Sequence, residues 1–573
     1  MSTPATAKGN DSSRSRDDTT RFLCGAAHRD EEFADSAIRE YLVESTRSIP
    51  RSPGVNAGAV LREAVAGRTR RKVRDGLLLL LAVLVLFAAT GTLAVAWLLV
   101  AAMVAVASGS KLASLRQRRV SPHGRGPAAL GAIVSAIALL FALSKLIEEF
   151  DDISNYCRRR SEVCGPTHSD AEFTFVIIGI ALIFAVLLAD RVIIWLLVTK
   201  SFRRNGFRTS RGERELWRNE WAIRRLGHAS YAGALALYPT DEDGGPDDPD
   251  AAQVIVYHGY RPFIGSGVMF EPWSMALPLE HAGDGTGAPL PGFALPELYE
   301  RITSELVKTG RSPSFSPGHR LREMRTGDRV VISSVELVDH IDDAEARIVL
   351  PDKDHAPRSA VGRSVVDRLI TEPMEWMRYF RSFQVETWDR DVVVSAYLTF
   401  GLDEEMLYVE WTPCILHPIH ARHREIDVLA EQSVRPFLDA LVDLLRFPAS
   451  LPKRFATAVG WLTPVNQAEG TFVAGRYGAT TSLRELASRS QVDNYFQLTD
   501  IERYVKVLES RLLRTLGEFL EEKGISVTEF MAQAMQVTSN NVHITGPVIS
   551  SNIATTGKAR AGNTSGTTTR GTS

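Results

Sequence analysis

Hydrophobic positions are spread unevenly along the 573-residue chain, and their spacing changes character several times. Between Arg21 and Leu42, the residues Phe33, Ala37, Ile38, Tyr41 and Leu42 recur at helical spacing and predict an amphipathic helix, broken by Pro50 and Pro53. A second short helix is expected from about Gly58 to Ala66. Three long apolar blocks follow, at 77–107, 127–147 and 173–198. The first runs thirty-one residues without a charge. A charge at the bilayer centre costs about 2.5–3.5 kcal/mol, so a run of this kind belongs in lipid.

After residue 250 the pattern is that of a folded soluble domain. AQVIVYHGY (252–260) and RVVISSVEL (329–337) read as strands, and LPELYERITSELVK (295–308) has helical periodicity. Residues 391–400 and 406–416 alternate as an antiparallel pair joined by the turn 401–405. The last long helix is expected over 500–523, where Ile501, Val505, Leu508, Leu512 and Phe519 form one stripe. That stripe fits packing on its own domain or self-association as a short coiled coil. In the Ser/Thr/Gly-rich tail, 540–557 alternates polar with β-branched residues and offers a second route to a homo-oligomer.

The pattern divides the chain into six parts. They are a disordered 1–20, juxtamembrane helices 21–75, a transmembrane region 76–200, a linker 201–250, an α+β domain 251–535 with a mostly antiparallel sheet, and a β-prone tail 536–573. With 77–107 as a hairpin rather than one long span, there are about four spans in all. Charge favours the hairpin. Arg68, Arg70, Arg71, Lys72 and Arg74 precede the first block, and basic loops also follow 107 and 198. The loop after 147 carries Glu148, Glu149, Asp151, Asp152, Glu162, Asp170 and Glu172. Basic flanks mark the cytoplasmic side, so both termini are expected there, in a multi-pass protein of the cell membrane.

A net charge of −2 gives no electrostatic case for nucleic acid, although 371–383 mixes aromatic residues with Arg. The 55 Arg to 11 Lys point to a GC-rich bacterial genome. None of Cys24, Cys157, Cys164 and Cys414 forms a CxxC pair; Cys157 and Cys164 share the predicted outer loop and are candidates for a disulfide. Asp190 and Arg191 interrupt the last apolar block. Seventeen apolar residues precede them, which places the pair at the inner interface rather than in an ion path. Gly265-Ser266-Gly267 lacks the spacing of a phosphate loop and reads as a tight turn. Cys414, His417, His420 and His423 lie three apart, a spacing that fans ligands around a helix and alternates faces on a strand, so no metal or cofactor is expected.

FLCGAAHRDEEF (22–33), VYHGYRPFIGSG (256–267), YGATTSLREL (477–486) and NNVHITG (540–546) together resemble a group of uncharacterised actinobacterial multi-pass membrane proteins. The resemblance covers most of the chain and implies a membrane location and that source. It brings no catalytic residues. With no recognisable catalytic motif, the expected function is a membrane-anchored sensor or scaffold with a cytoplasmic recognition domain and the lipid bilayer as partner. An enzyme with a site assembled from scattered residues is the alternative, and a transporter or pore component ranks behind it.

Overall fold

A computed structural model describes residues 9–50, 52–88, 168–203, 207, 251–282, 292–310, 324–388, 391–429, 434–460, 472–492 and 494–540. Among these, the sheet is the architectural centre. Its strands are β1 (Ala251–Tyr257), β2 (Val268–Met269), β3 (Trp273–Pro278), β4 (Arg325–Ser333), β5 (Ala360–Gly362), β6 (Met377–Thr387), β7 (Val392–Leu402) and β8 (Met406–Leu416). They run in the order β2-β8-β7-β6-β4-β1-β5, with β3 also paired to β8. The β1–β4 pairing is parallel and the others antiparallel, so the sheet is mixed and mostly antiparallel. The predicted β7–β8 hairpin is present, and the Asp403 carboxylate accepts from the amides of Glu405 and Met406 to close its turn.

Strand alternation gives the sheet two different faces. On one, Val254, Val256, Val330, Ile332, Phe383, Leu398, Val409 and Trp411 pack under helices. These are α5 (Leu295–Gly310), α8 (Arg363–Thr371), α14 (Tyr495–Glu522) and α15 (Thr528–Asn540), with the short α6 (Ser334–Asp339) and α7 (Ala344–Val349) at the end of β4. The α14 stripe foreseen from the sequence is buried in the chain's own core, Leu508, Leu512 and Phe519 in this cluster and Ile501 and Val505 beside Val392 and Val394. On the other face, Ile255, Val331, Phe380, Tyr397 and Cys414 are covered by Phe263, Ile264 and Ala479, which lie on connecting segments.

The chain builds a second, helical core. It combines α1 (Gly9–Arg29), α2 (Glu31–Ile38, continued by a π turn at Arg39–Val43), the first half of α3 (Ala57–Ala88) and the end of α4 (His168–Lys200). Asp30 caps α2 by accepting from the amides of Glu32 and Phe33. The core is joined to the α+β part through 477–487. The Ser48 amide donates to the Tyr477 carbonyl at 2.7 Å, the Thr480 amide to the Glu40 carboxylate at 2.7 Å, and the Leu483 amide to the Tyr41 hydroxyl at 3.1 Å.

Two sequence expectations need correcting. About four spans were expected; among the described residues one helix, over Thr174–Lys200 of α4, is long and apolar enough to cross a membrane. At the front, Leu77–Ala88 continues α3, whose first half is buried in protein, so the described start of the apolar block and its basic flank form one helix. Residues 89–107 and 127–147 lie outside the described residues. Of the segment expected to be disordered, residues 1–8 lie outside the described residues, and from Gly9 the chain enters α1, in which Thr19, Thr20, Arg21 and Leu23 are buried. The loop with Cys157 and Cys164, the linker 201–250 beyond Phe207 and the tail after Asn540 are outside the described residues too.

Candidate functional site

Helices α3 and α4 run antiparallel. Leu78, Ala82 and Val85 pack with Ile183 and Leu187, and Gly179 lets the helices approach so closely that a Cβ there would lie 2.3 Å from the Val85 side chain. Around this seam, Leu77, Leu80, Val83 and Leu84 of α3 and Phe175, Ile177, Ile178, Ile180 and Leu182 of α4 are exposed. Past residue 191 the pattern changes: Ile194, Leu197, Val198 and Phe202 are packed into the helical core, while Ile193 stays exposed.

The change coincides with a layer of charge. Asp190, 6% exposed, lies 3.0 Å from Arg74 Nη1 and 3.1 Å from Arg70 Nε. Arg74 also meets Asp75 at 2.8 Å, and Asp75, 2% exposed, is held by Arg454 at 2.6 Å. The neighbouring Arg191, about 100° round the helix, bonds Asp443 at 2.7 Å instead. Burial disfavours the Arg74 charge, but Asp75 and Asp190 outweigh it and raise its pKa. Arg71, more deeply buried and beside Arg70, is lowered to about 10. Below the layer, His28 and Glu63 are paired at 2.8 Å, both 3% exposed, and burial lowers the His28 pKa despite that carboxylate. Arg70 Nη2 donates to the His28 carbonyl at 2.9 Å and so links the two clusters.

Asp443 and Arg454 come from α11 (Arg435–Leu445) and α12 (Phe447–Val459), which follow the short α9 (Ala421–Arg424) and α10 (Ile426–Leu429). Sequence reasoning found Asp190 and Arg191 but missed the two other acids of the layer, Asp75 and Asp443. Asp75 is an acid at the end of a basic run, and Asp443 an acid inside an apolar helix. Both are odd in context, and that oddity was the available signal.

The second sheet face carries a different arrangement. The amides of Gly265 and Gly267 both donate to Glu485 Oε1 at 3.0 Å, and the Ser482 amide donates to Oε2 at 2.8 Å as part of the capping box of α13 (Leu483–Ala487). The Gly-Ser-Gly turn is thus an amide cradle filled by the chain's own carboxylate. Gly267 has φ +87°, and a Cβ there would meet the Ile415 carbonyl oxygen at 2.1 Å. Ser266 and Tyr397 share a hydrogen bond of 2.5 Å.

Beside this cradle a cavity of about 760 Å³ opens over the ends of β1 and β4. Its wall includes Tyr257, Ser333, Glu336, Trp376, Arg378 and Glu410. Arg378 and Glu410 form a 3.9 Å ion pair, and Trp376 stacks on His340 with centroids 4.8 Å apart. Next to it His258 Nδ1 and Ser334 Oγ are 3.0 Å apart, but Ser334 is fully buried and out of reach of a substrate. A cavity with this lining suits a polar small molecule carrying both charge and a flat face.

The spaced Cys and His residues do not converge. Cys414 is buried beneath the cradle, His420 accepts from the Arg422 amide as the cap of α9, and His423 packs on Phe33 with centroids 5.5 Å apart. Burial lowers the pKa of His417, and lowers that of His423 to about 4. Among the described residues no three His, Cys, Asp or Glu are placed to hold a metal ion.

Residues 272–553 match the AbeC-like domain, an uncharacterised family. The match takes in β3 to β8, α5 to α15 and part of the tail, and says nothing of a membrane. No curated protein and no solved structure matches the chain.

Proposed function

We propose that the chain is an integral membrane protein of the cell membrane. In this reading α4, with the apolar half of α3 beside it, anchors an α+β sensor or scaffold domain on the cytoplasmic side. One observation carries the reading: along α4 the apolar side chains away from the α3 seam are largely exposed up to Ala189, whereas after Arg191 Ile194, Leu197 and Val198 pack into the helical core and Ile193 stays exposed, with a charge layer at the change. Only 22% of the apolar window of α4 is buried, whereas the core helix of a soluble protein would be mostly covered. A contiguous exposed apolar surface of this size marks an interaction site, and its length suits a bilayer. The orientation follows from Arg68, Arg70, Arg71, Lys72 and Arg74 at the foot of α3.

The cavity over β1 and β4 supports sensing rather than scaffolding alone, because it offers charged and aromatic groups on one wall. The test has two stages. The full chain is first fractionated, and it should stay with membranes through alkaline carbonate and leave with detergent. Release by carbonate would overturn the anchor. The detergent-solubilised chain is then screened by thermal shift against nucleotides and common metabolites. A true ligand should raise the midpoint, and Arg378→Ala should abolish that rise. A rise untouched by Arg378→Ala would move the ligand site elsewhere.

A further inference from the structure

Helix α11 is built the wrong way round for water. Val434 just before it, and Phe437, Leu438, Leu441, Val442 and Leu445 within it, fall at steps of three, one, three, one and three. They make a single stripe, and every member is between 41% and 64% exposed. The opposite side, turned to the protein, carries Pro436, Ala440 and Asp443, with Leu444 partly buried at its edge, and Asp439 is 45% exposed. A helix packed on a soluble domain turns its broad stripe of large apolar side chains to the core, and here that stripe is turned out.

From this geometry we infer that α11 lies in the bilayer, its stripe of Phe437, Leu438, Leu441, Val442 and Leu445 against phospholipid acyl chains. The inference rests on the anchor reading above and extends it to the AbeC-like segment, which contains α11. Continuity selects lipid as the occupant. Phe437 packs edge-on against Phe184 of α4, with centroids 5.6 Å apart, so the exposed surfaces of the two helices join. Arg191 fixes the register through Asp443. Any bilayer that surrounds α4 on this side meets α11 as well. The helix is eleven residues long, about 16 Å, too short to span and suited to lying partly sunk in one leaflet.

The test places the photo-crosslinking residue p-benzoylphenylalanine at Leu441 of the full chain, reconstituted in vesicles of phosphatidylethanolamine and phosphatidylglycerol. Parallel samples carry it at Ile178 on α4 and at Glu404 in the β7–β8 turn. The expected result is a lipid adduct at Leu441 within about a factor of two of that at Ile178, and none at Glu404. An adduct at Ile178 with protein crosslinks in place of lipid at Leu441, to this chain or to a second copy, overturns the inference and leaves the anchor standing. Absence of lipid adducts at both positions overturns the anchor reading and this inference together.

Discussion

The Asp190 carboxylate is gripped by two guanidinium groups of another helix, Arg74 at 3.0 Å and Arg70 at 3.1 Å. An acid that interrupts an apolar run is thereby neutralised from the side, one helix turn below the apolar block of α3. Replacing it by Asp190→Asn leaves two partly buried cations facing a neutral amide. Stability should fall by about 3 kcal/mol, the low end for a broken buried pair because Asp75 still serves Arg74. Arg191→Gln, at a half-exposed pair, should cost no more than about 1 kcal/mol. Thermal unfolding of the detergent-solubilised chain separates the two, and equal losses would sink the distinction.

Glu485 answers three backbone amides, those of Gly265, Gly267 and Ser482. Glu485→Ala should destabilise the chain by about 2–4 kcal/mol, since it strands donors that have no other partner of that geometry. Glu485→Gln should fall between, because the amide keeps one acceptor and turns the other into a donor. A Gln variant as weak as the Ala variant would mean that the charge, not the count of acceptors, holds the turn. Denaturant titration followed by tryptophan fluorescence reads both.

His423 is held neutral by burial, with its pKa lowered to about 4 from 6.5. The unfolded chain takes up a proton below about pH 6.5 and the folded one does not. Its contribution is therefore complete above about pH 6.5 and is lost as pH falls toward 4, by up to roughly 3 kcal/mol at about 1.4 kcal/mol per pH unit. His423→Leu should flatten that part of the stability profile. A profile with the same slope in wild type and variant would assign the acid sensitivity to another group.

Cys24 and Cys414 are buried, and burial together with Glu485 raises the Cys414 pKa. Neither should react with maleimide at neutral pH until the chain unfolds. Labelling of the native chain then reports Cys157 and Cys164 alone. If these form the proposed disulfide, two labels should appear only after reduction. Labels found on Cys414 in the native state would contradict its place beneath the cradle.

Local pattern made most of the sheet domain legible. The β7–β8 hairpin, β1, α5 and α14 follow from runs of β-branched and apolar residues, turn signals and helical spacing, all of which are local. RVVISSVEL was less clear: it is strand only as far as Ser333, after which α6 begins. The Asp190–Arg191 pair was visible as a break in an apolar run. Its partners were not, since Arg74 and Asp443 lie 116 and 252 residues away and no local rule joins them. Glu485 was hidden for the same reason: its 218-residue reach to Gly267 is invisible to spacing, although the capping box around it, Ser482 to Glu485, is a readable helix start. About four spans were read from apolar length and charge, whereas one helix among the described residues, Thr174–Lys200, is long and apolar enough to cross a membrane.

Strand β1 lies between β4 and β5, yet it ends at Tyr257, fifteen residues before the AbeC-like match begins at residue 272. A polypeptide cut at that boundary would leave β4 with one bare edge and β5 with no neighbour, and would uncover the face that Val254 and Val256 fill. Similarity and foldability thus have different borders in this chain. The smallest piece with the complete sheet starts no later than Ala251, and a shorter one should pair the bared edge of β4 with whatever strand it meets first.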